Sequence, residues 1–218
     1  MSYDLFLFDF DGVLFTTNRA KSKAFREALT GYPEEAVDKF IGYHEANGGI
    51  SRYVKFSHFF KNILCETDTE GMERRALERF VDISKSLMED TTTLPGVRAF
   101  VHQIRSAKKL AAICSGGNFE EIQRLLSVHR LSEFFAAIWA NERTKMEHAT
   151  ENIGPYYKRV LFFGDAQYDM EVAELSGWDF VFVSAITDWP DGAQAAQDRG
   201  HFCIHDFQDC RLEKIWVR

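Results

Sequence analysis

Five stretches of strand length in this chain are apolar throughout: Leu5–Phe8, Leu110–Cys114, 160–163, 180–183 and Phe202–Ile204. A strand with one wetted face alternates apolar and polar residues, so runs without alternation describe strands covered on both faces. Helix-period segments lie between them. Phe119, Ile122, Leu125 and Leu126 form one apolar stripe, preceded by Asn118 with Glu121 three residues on, the spacing of a capping box. A second segment, 170–176, stops at Gly177, where a left-handed cap is tolerated. Strand alternating with helix implies an α/β fold built on a parallel sheet.

One stretch breaks that rhythm. From Thr16 to Asp90 the pattern is helical, with no strand, far longer than a crossover made of one helix and loops of about 2–6 residues. Helices are expected over 20–29, 34–41, 51–64 and 70–88. The chain therefore divides into a core, 1–15 and 91–218, and an inserted all-helical domain, 16–90. The insertion leaves just after the first strand's carboxyl end, where open α/β sheets hold their ligands, so it is placed to cover a site.

Composition narrows the partners. Lys plus Arg number 26 against 33 Asp plus Glu, a formal charge of −7, which argues against a nucleic acid or an anionic membrane. Hydrophobic residues at 45%, with 20 Phe, supply a packed interior without disulfides or structural metal. Cys65, Cys114, Cys203 and Cys210 are scattered, as in reduced, cytoplasmic proteins. The first residues lack a basic region leading into an apolar run, and no apolar stretch approaches about 18 residues, so neither a secretory signal nor a membrane span is expected.

Chemistry concentrates at strand ends. The first strand runs into Asp9-Phe10-Asp11-Gly12, two carboxylates separated by one Phe, which repel unless a cation or proton intervenes. Gly164-Asp165 follows another apolar strand, with Asp169 where the next helix begins; there a helix cap is the alternative role. Converging carboxylates suit a hard cation with oxygen ligands, Mg²⁺ by default. Ser115-Gly116-Gly117-Asn118 offers a hydroxyl, backbone N–H groups and a helix N-terminus to an anion, or else is an ordinary strand-to-helix turn. Lys145, with Lys158 as its rival, offers a cation near the same edge. His201 and His205 alternate on a strand but lack a zinc spacing.

In this order, Asp9-Phe10-Asp11-Gly12-Val13-Leu14, Ser115-Gly116-Gly117, Lys145 and Gly164-Asp165 to Asp169 resemble the four motifs of the haloacid dehalogenase superfamily, in its phosphatase branch with a helical cap after the first strand. The resemblance implies a Rossmann-like core and phosphate-ester chemistry. Asp9 is the implied nucleophile, and Asp11 the acid and base, with a pKa raised under a closed cap. Mg²⁺ is held by the Asp9 carboxylate, the Asp11 carbonyl and Asp165, with Asp169 in support. Ser115 and the Gly116 N–H hold phosphoryl oxygens, and Lys145 offsets charge. The expected function is hydrolysis of a small phosphomonoester through an aspartyl phosphate. The alternatives are a phosphomutase of the β-phosphoglucomutase type and a non-catalytic interaction protein that keeps the fold. In the cap, the glycine-containing break from Gly42 to Arg52 reads as a loop, from which Arg52, with His44 or Asn47, is expected to reach the organic part of the substrate.

Overall fold

The computed structural model describes residues 3–88, 90–140 and 143–215. Six parallel strands form one sheet: β1 (Leu5–Phe8), β2 (Leu110–Cys114), β3 (Ala137–Trp139), β4 (Val160–Gly164), β5 (Asp179–Val183) and β6 (Phe202–Ile204), in the order β3-β2-β1-β4-β5-β6. The fold is α/β with a Rossmann-like parallel sheet. Side chains alternate across it: Phe6, Phe8, Ile113 and Phe163 enter one apolar layer, while Leu5, Leu7, Ala112 and Phe162 enter the other. Both faces are covered, which is why these strands carry no polar alternation.

Four helices follow β1: α1 (Asn18–Ala28), α2 (Glu34–Ala46), α3 (Arg52–His58), which continues as a π-helical turn at Phe59–Ile63, and α4 (Glu70–Leu87). They enclose a third apolar cluster around Phe25, Phe40, Phe56, Phe59, Phe60 and Phe80. The remaining helices flank the sheet: α5 (Val97–Ser106), α6 (Phe119–Val128), α7 (Lys145–His148), α8 (Gln167–Ser176), α9 (Gly192–Asp198) and α10 (Leu212–Ile215).

The expected break from Gly42 to Arg52 is shorter than its sequence suggests, because α2 runs on through Gly42 to Ala46. A helical glycine costs about 1 kcal/mol. Here packing outweighs that: Tyr43 stacks on His58 at 3.7 Å between centroids, and His44 lies 4.5 Å from Phe25. His44 is thus a helix residue, and the loop is reduced to 47–51.

Strand register sets up everything that follows. Phe8 is level with both Ile113 and Phe163. The next residues, Asp9, Cys114 and Gly164, are therefore level too, and Ser115 and Asp165 follow one step beyond. Phe163, fully buried and stacked on Phe8 at 4.8 Å, anchors this register from one face. Phe163→Ala is expected to lower stability by about 3–5 kcal/mol, read as a reduced urea midpoint with an unchanged m value.

Candidate active site

Asp9 directly follows β1, Asp165 directly follows β4, and Asp169 lies in the first turn of α8. All three are buried, and one oxygen from each lies within 4.8 Å of the others. Lys145 reaches them from the start of α7. A capping box orients that helix: Thr144 Oγ1 accepts from the Glu147 N–H at 3.1 Å, and the Thr144 N–H donates to Glu147 Oε2 at 2.6 Å. Lys145 Nζ stands 2.9 Å from Asp9 Oδ1 and donates to Asp169 Oδ1, wholly shielded from solvent. Lys158, its rival in the sequence, is exposed, its ammonium donating to the Gly154 carbonyl at 3.5 Å and its backbone N–H to Asp4 at 3.3 Å. Asp169 also caps α8, accepting from the Ala166 N–H at 3.3 Å, so both roles considered for it coexist.

One ammonium does not balance three carboxylates in this setting. Burial, with Asp169 and Asp11 adding and Lys145 opposing, pushes Asp9 up to about 7. Burial, then the neighbouring Asp9 and Asp169, raises Asp165 well above the usual carboxylate range. Burial disfavours the Lys145 charge, yet Asp169 and Asp9 lift its pKa above the ordinary lysine value. An all-oxygen donor set with excess negative charge fits a hard divalent cation such as Mg²⁺. Asn18 donates to Asp165 Oδ2 and to the Ile186 carbonyl, each at 3.1 Å, while its own Oδ1 is buried without a hydrogen-bond partner among the described residues. That leaves one more oxygen beside the cluster. Gly12, at φ +76°, is required here, because a Cβ would stand 2.1 Å from Asp165 Oδ2. The sequence carried no signal for Asn18, whose partners lie 147 and 168 residues away.

Ser115 and Gly116 follow β2 at the same edge. Ser115 is buried, and its Oγ accepts from the Gly117 N–H at 3.1 Å. The 47–51 loop closes over this edge: a Cβ on Gly116 would meet the Gly49 carbonyl at 2.4 Å, and one on Gly48 would meet Ala166 Cβ at 2.9 Å. Between loop and sheet lies a cavity of about 60 Å³, lined on the core side by Asp9, Asp11, Ser115, Gly116 and Asp165.

Asp11 differs from expectation. Its carboxylate turns toward α1, accepting from Thr17 Oγ1 and pairing with Lys21. Burial works to raise its pKa, but the Lys21 charge and the hydrogen bonds from Lys21 and Thr17 outweigh it and hold Asp11 below the usual carboxylate value. No catalytic motif in the sequence points to Lys21, which lies one turn into the helix that follows Thr17.

The three cap residues expected to reach substrate are engaged otherwise. Arg52 lines the cavity, but its guanidinium makes a bidentate pair with Glu121 of α6, at 2.7 and 2.6 Å, and lies over the Phe80 ring. This pair also halves the expected capping box. Asn118 Oδ1 accepts from the Glu121 N–H at 3.1 Å, whereas the Glu121 carboxylate turns to Arg52, a stronger, charge-assisted partner. Asn47 is a correction: its amide donates to the Tyr43 carbonyl at 2.8 Å, and it does not line the cavity. His44 lines the cavity with its ring held between Ser22 Oγ at 3.1 Å and Lys55 Nζ at 2.7 Å. Burial first, then the Lys55 and Lys21 charges, take His44 down to about 2, so it is neutral. Lys55, unremarked in the sequence, is buried and lines the same cavity. Burial brings it down to about 7, with Lys21 and Lys145 adding and Asp11 and Asp188 opposing. His201 bonds Glu174 at 2.9 Å and is not part of the carboxylate cluster.

Residues 6–183 match the family described as haloacid dehalogenase-like hydrolase. None of the curated proteins is similar enough in sequence to register a match. Among solved structures, a predicted phosphatase from Clostridium acetobutylicum superposes with a TM-score of 0.75 at 16% identity, covering 99% of both chains. A predicted phosphoglycolate phosphatase from Haemophilus somnus 129PT does so with 0.74 at 17%, covering 99% of this chain and 98% of that one. A β-phosphoglucomutase from Clostridium difficile gives 0.75 at 18%, covering 98% and 95%. At these identities the likeness is one of fold.

Removing Lys145 leaves the carboxylates uncompensated. Lys145→Met is expected to cost about 3–5 kcal/mol in urea unfolding, with added divalent cation recovering part of the loss by binding the folded state. Lys55 has the opposite sign. Its folded value lies below the roughly 10.4 of an unfolded lysine, so the unfolded chain holds a proton there that the folded chain gives up. The destabilisation is full below about pH 7 and fades as pH rises toward 10. Lys55→Met is therefore expected to raise the thermal midpoint at pH 6.5–7 (~7), and the gap to the unaltered protein should narrow steadily by about pH 9–10.

Proposed function

Since the chain belongs to the haloacid dehalogenase-like hydrolase family, we propose that it is a Mg²⁺-dependent phosphatase of a small phosphomonoester, working through a phosphorylated Asp9. The observation that carries this reading is the placement of two carboxylates at one strand end. Asp9 sits in the buried cluster with Asp165 and Asp169, while Asp11 stands apart from that cluster, facing the cap. In this reading Asp9 attacks phosphorus and Asp11 handles the leaving group's proton, and the separation of the two carboxylates supports that division.

Asp9, Asp165 and the Asp11 carbonyl would hold the Mg²⁺, with Asp169 in support; bound there, the ion neutralises the carboxylates and the phosphate dianion that would otherwise repel each other. Asp9 Oδ then attacks phosphorus as the bond to the leaving oxygen breaks, and that oxygen takes a proton from Asp11. Water attacks the phosphorylated Asp9 next, giving its proton to Asp11 and releasing orthophosphate and free Asp9. Ser115 Oγ and the Gly116 N–H hold phosphoryl oxygens, and Lys145 keeps the attacking carboxylate ionised and aimed. The Lys21 pair holds Asp11 in its base form, which suits the second step. The first step needs Asp11 protonated, so Lys21 must leave it as substrate enters, drawn by the incoming negative charge.

We place the enzyme in the cytoplasm, a reading supported by four cysteines that are all unbridged. Among the described residues no helix is long and apolar enough to cross a membrane. The partner is a small-molecule ester, with neither nucleic acid nor membrane. A mutase shares the Asp9 and Asp11 chemistry and is the second reading, supported by the fold shared with a β-phosphoglucomutase.

A panel of phosphate esters with Mg²⁺ is expected to yield orthophosphate from at least one compound. Asp9→Asn should lower its kcat by about a thousandfold or more, and chelation should abolish turnover. An isomerised sugar phosphate in place of orthophosphate would establish the mutase. No turnover of any ester would point to the interaction protein.

A further inference from the structure

Among the described residues two buried side-chain atoms have no hydrogen-bond partner, Asn18 Oδ1 and Arg124 Nη2. Only the first belongs to a residue that lines the cavity. Asn18 opens α1, the first helix of the insertion, between Thr17 and Lys21, which together hold Asp11. Its amide nitrogen donates to Asp165 Oδ2 and to the Ile186 carbonyl, each at 3.1 Å, with the Asp188 carboxylate a further neighbour. A carbonyl has no hydrogen to give, so the contact with Ile186 fixes which end of the amide is nitrogen and leaves the oxygen on the other side.

The turn beneath enforces this arrangement. A Cβ on Gly12 would stand 2.1 Å from Asp165 Oδ2 and 2.9 Å from Asn18 Nδ2, so carboxylate and amide share the space that the glycine leaves. Thr187 Oγ1 donates to the Asp165 carbonyl at 2.5 Å, and the Trp189 N–H donates to that hydroxyl at 2.9 Å. Asp165 is thus held through its backbone by the loop after β5 and through its side chain by the insertion. A buried amide oxygen without a donor is costly, and an arriving donor removes that cost. A hydrated cation brings donors: Mg²⁺ parts with its waters reluctantly and keeps several of them in protein sites.

We propose that Asn18 is part of the metal site, its nitrogen aiming Asp165 and its oxygen accepting from a water of the Mg²⁺ hydration shell. This rests on the Mg²⁺ reading given above and deepens it. Asn18 touches no reacting atom; it is a positioning residue, acting through Asp165 and the hydrated ion. Outer partners of this kind set metal affinity by about 10- to 100-fold. The site is then shared: the core supplies the charged ligands, and the first turn of the insertion supplies the group that orients one of them.

Mg²⁺ is titrated calorimetrically into the metal-free full chain, and the urea midpoint of the same metal-free protein is measured beside it. Asn18→Leu, close in size but unable to donate or accept, is expected to weaken Mg²⁺ binding by about 10- to 100-fold. Asn18→Ala is the second replacement, with the same expectation, should Asn18→Leu not fold. Asn18→Asp keeps an acceptor but sets another carboxylate against Asp165. It should lower the metal-free midpoint and yet bind Mg²⁺ at least as tightly as the unaltered chain. A residue that only supported the fold would move affinity and midpoint together in every replacement. Affinity unchanged in Asn18→Leu and Asn18→Ala, or lost in Asn18→Asp in step with its midpoint, would overturn the proposal and leave the metal reading standing. An unaltered chain that takes up no Mg²⁺ would remove both.

Discussion

Like charges buried together are the constraint around which this molecule is arranged. Asp9, Asp165 and Asp169 bring an oxygen each within 4.8 Å, in a place where burial first, and the neighbouring carboxylates after it, raise Asp9 and Asp165 above the ordinary range. Such a cluster persists only if the rest of the fold leaves it no escape. Levelled strands β1 and β4 fix two of the carboxylates, the first turn of α8 fixes the third, and the space that a Cβ on Gly12 or Gly164 would fill is already taken by Asp165 and Asp169. The stacked pair Phe8 and Phe163 stiffens the same register from beneath. A rigid apolar sheet thus supports an electrostatically strained edge, and that strain is what gives a cation, or a proton, a place to act.

The helical insertion extends the same logic from the other side. It brings Lys21 and Arg52 against carboxylates of the core, Asp11 and Glu121, so that two of its cations double as contacts between cap and core. Lys55 breaks the pattern, facing the cavity without such a partner. Paired charges across the junction are satisfied before a ligand arrives; an unpaired one is not. The paired cations that join insertion to core and the buried cation without such a pair are therefore different side chains of the same short run of helices.

The sheet was legible in the sequence because strands buried on both faces have no polar alternation to disguise them, and the helical insertion because no strand interrupts Thr16 to Asp90. The edge strand β3, three half-buried residues long, carries too little pattern to stand out. Positions of the candidate site on strand ends could be read because each follows an apolar run. On the insertion, Arg52 and His44 could be singled out and do line the cavity, but their partners, and Lys21, Lys55 and Asn18, could not. Lys21 meets Asp11 ten residues away, Arg52 meets Glu121 across 69, and Asn18 meets Asp165 across 147. Such pairings depend on how the cap lies on the core, which no local spacing encodes. The break at Gly42 misled for a related reason: propensity sees the glycine, while the stacking of Tyr43 on His58 that overrides it joins separate helices.

Closure and chemistry are coupled through water. The Gly49 carbonyl lies where any Cβ on Gly116 would go, so the loop rests directly on the backbone that faces Ser115, and the cavity is shielded while it stays there. Arg52 and Glu121 pair across the same junction of helical insertion and core. Their attraction is partly offset by hydration regained when the two charges part, so the pair resists opening less than its two short hydrogen bonds suggest. Burial is the largest cause of the raised Asp9 and Asp165 values, so their protonation depends on this shielding. The shielding that makes the buried carboxylates costly is also what strengthens their interaction with any cation placed among them.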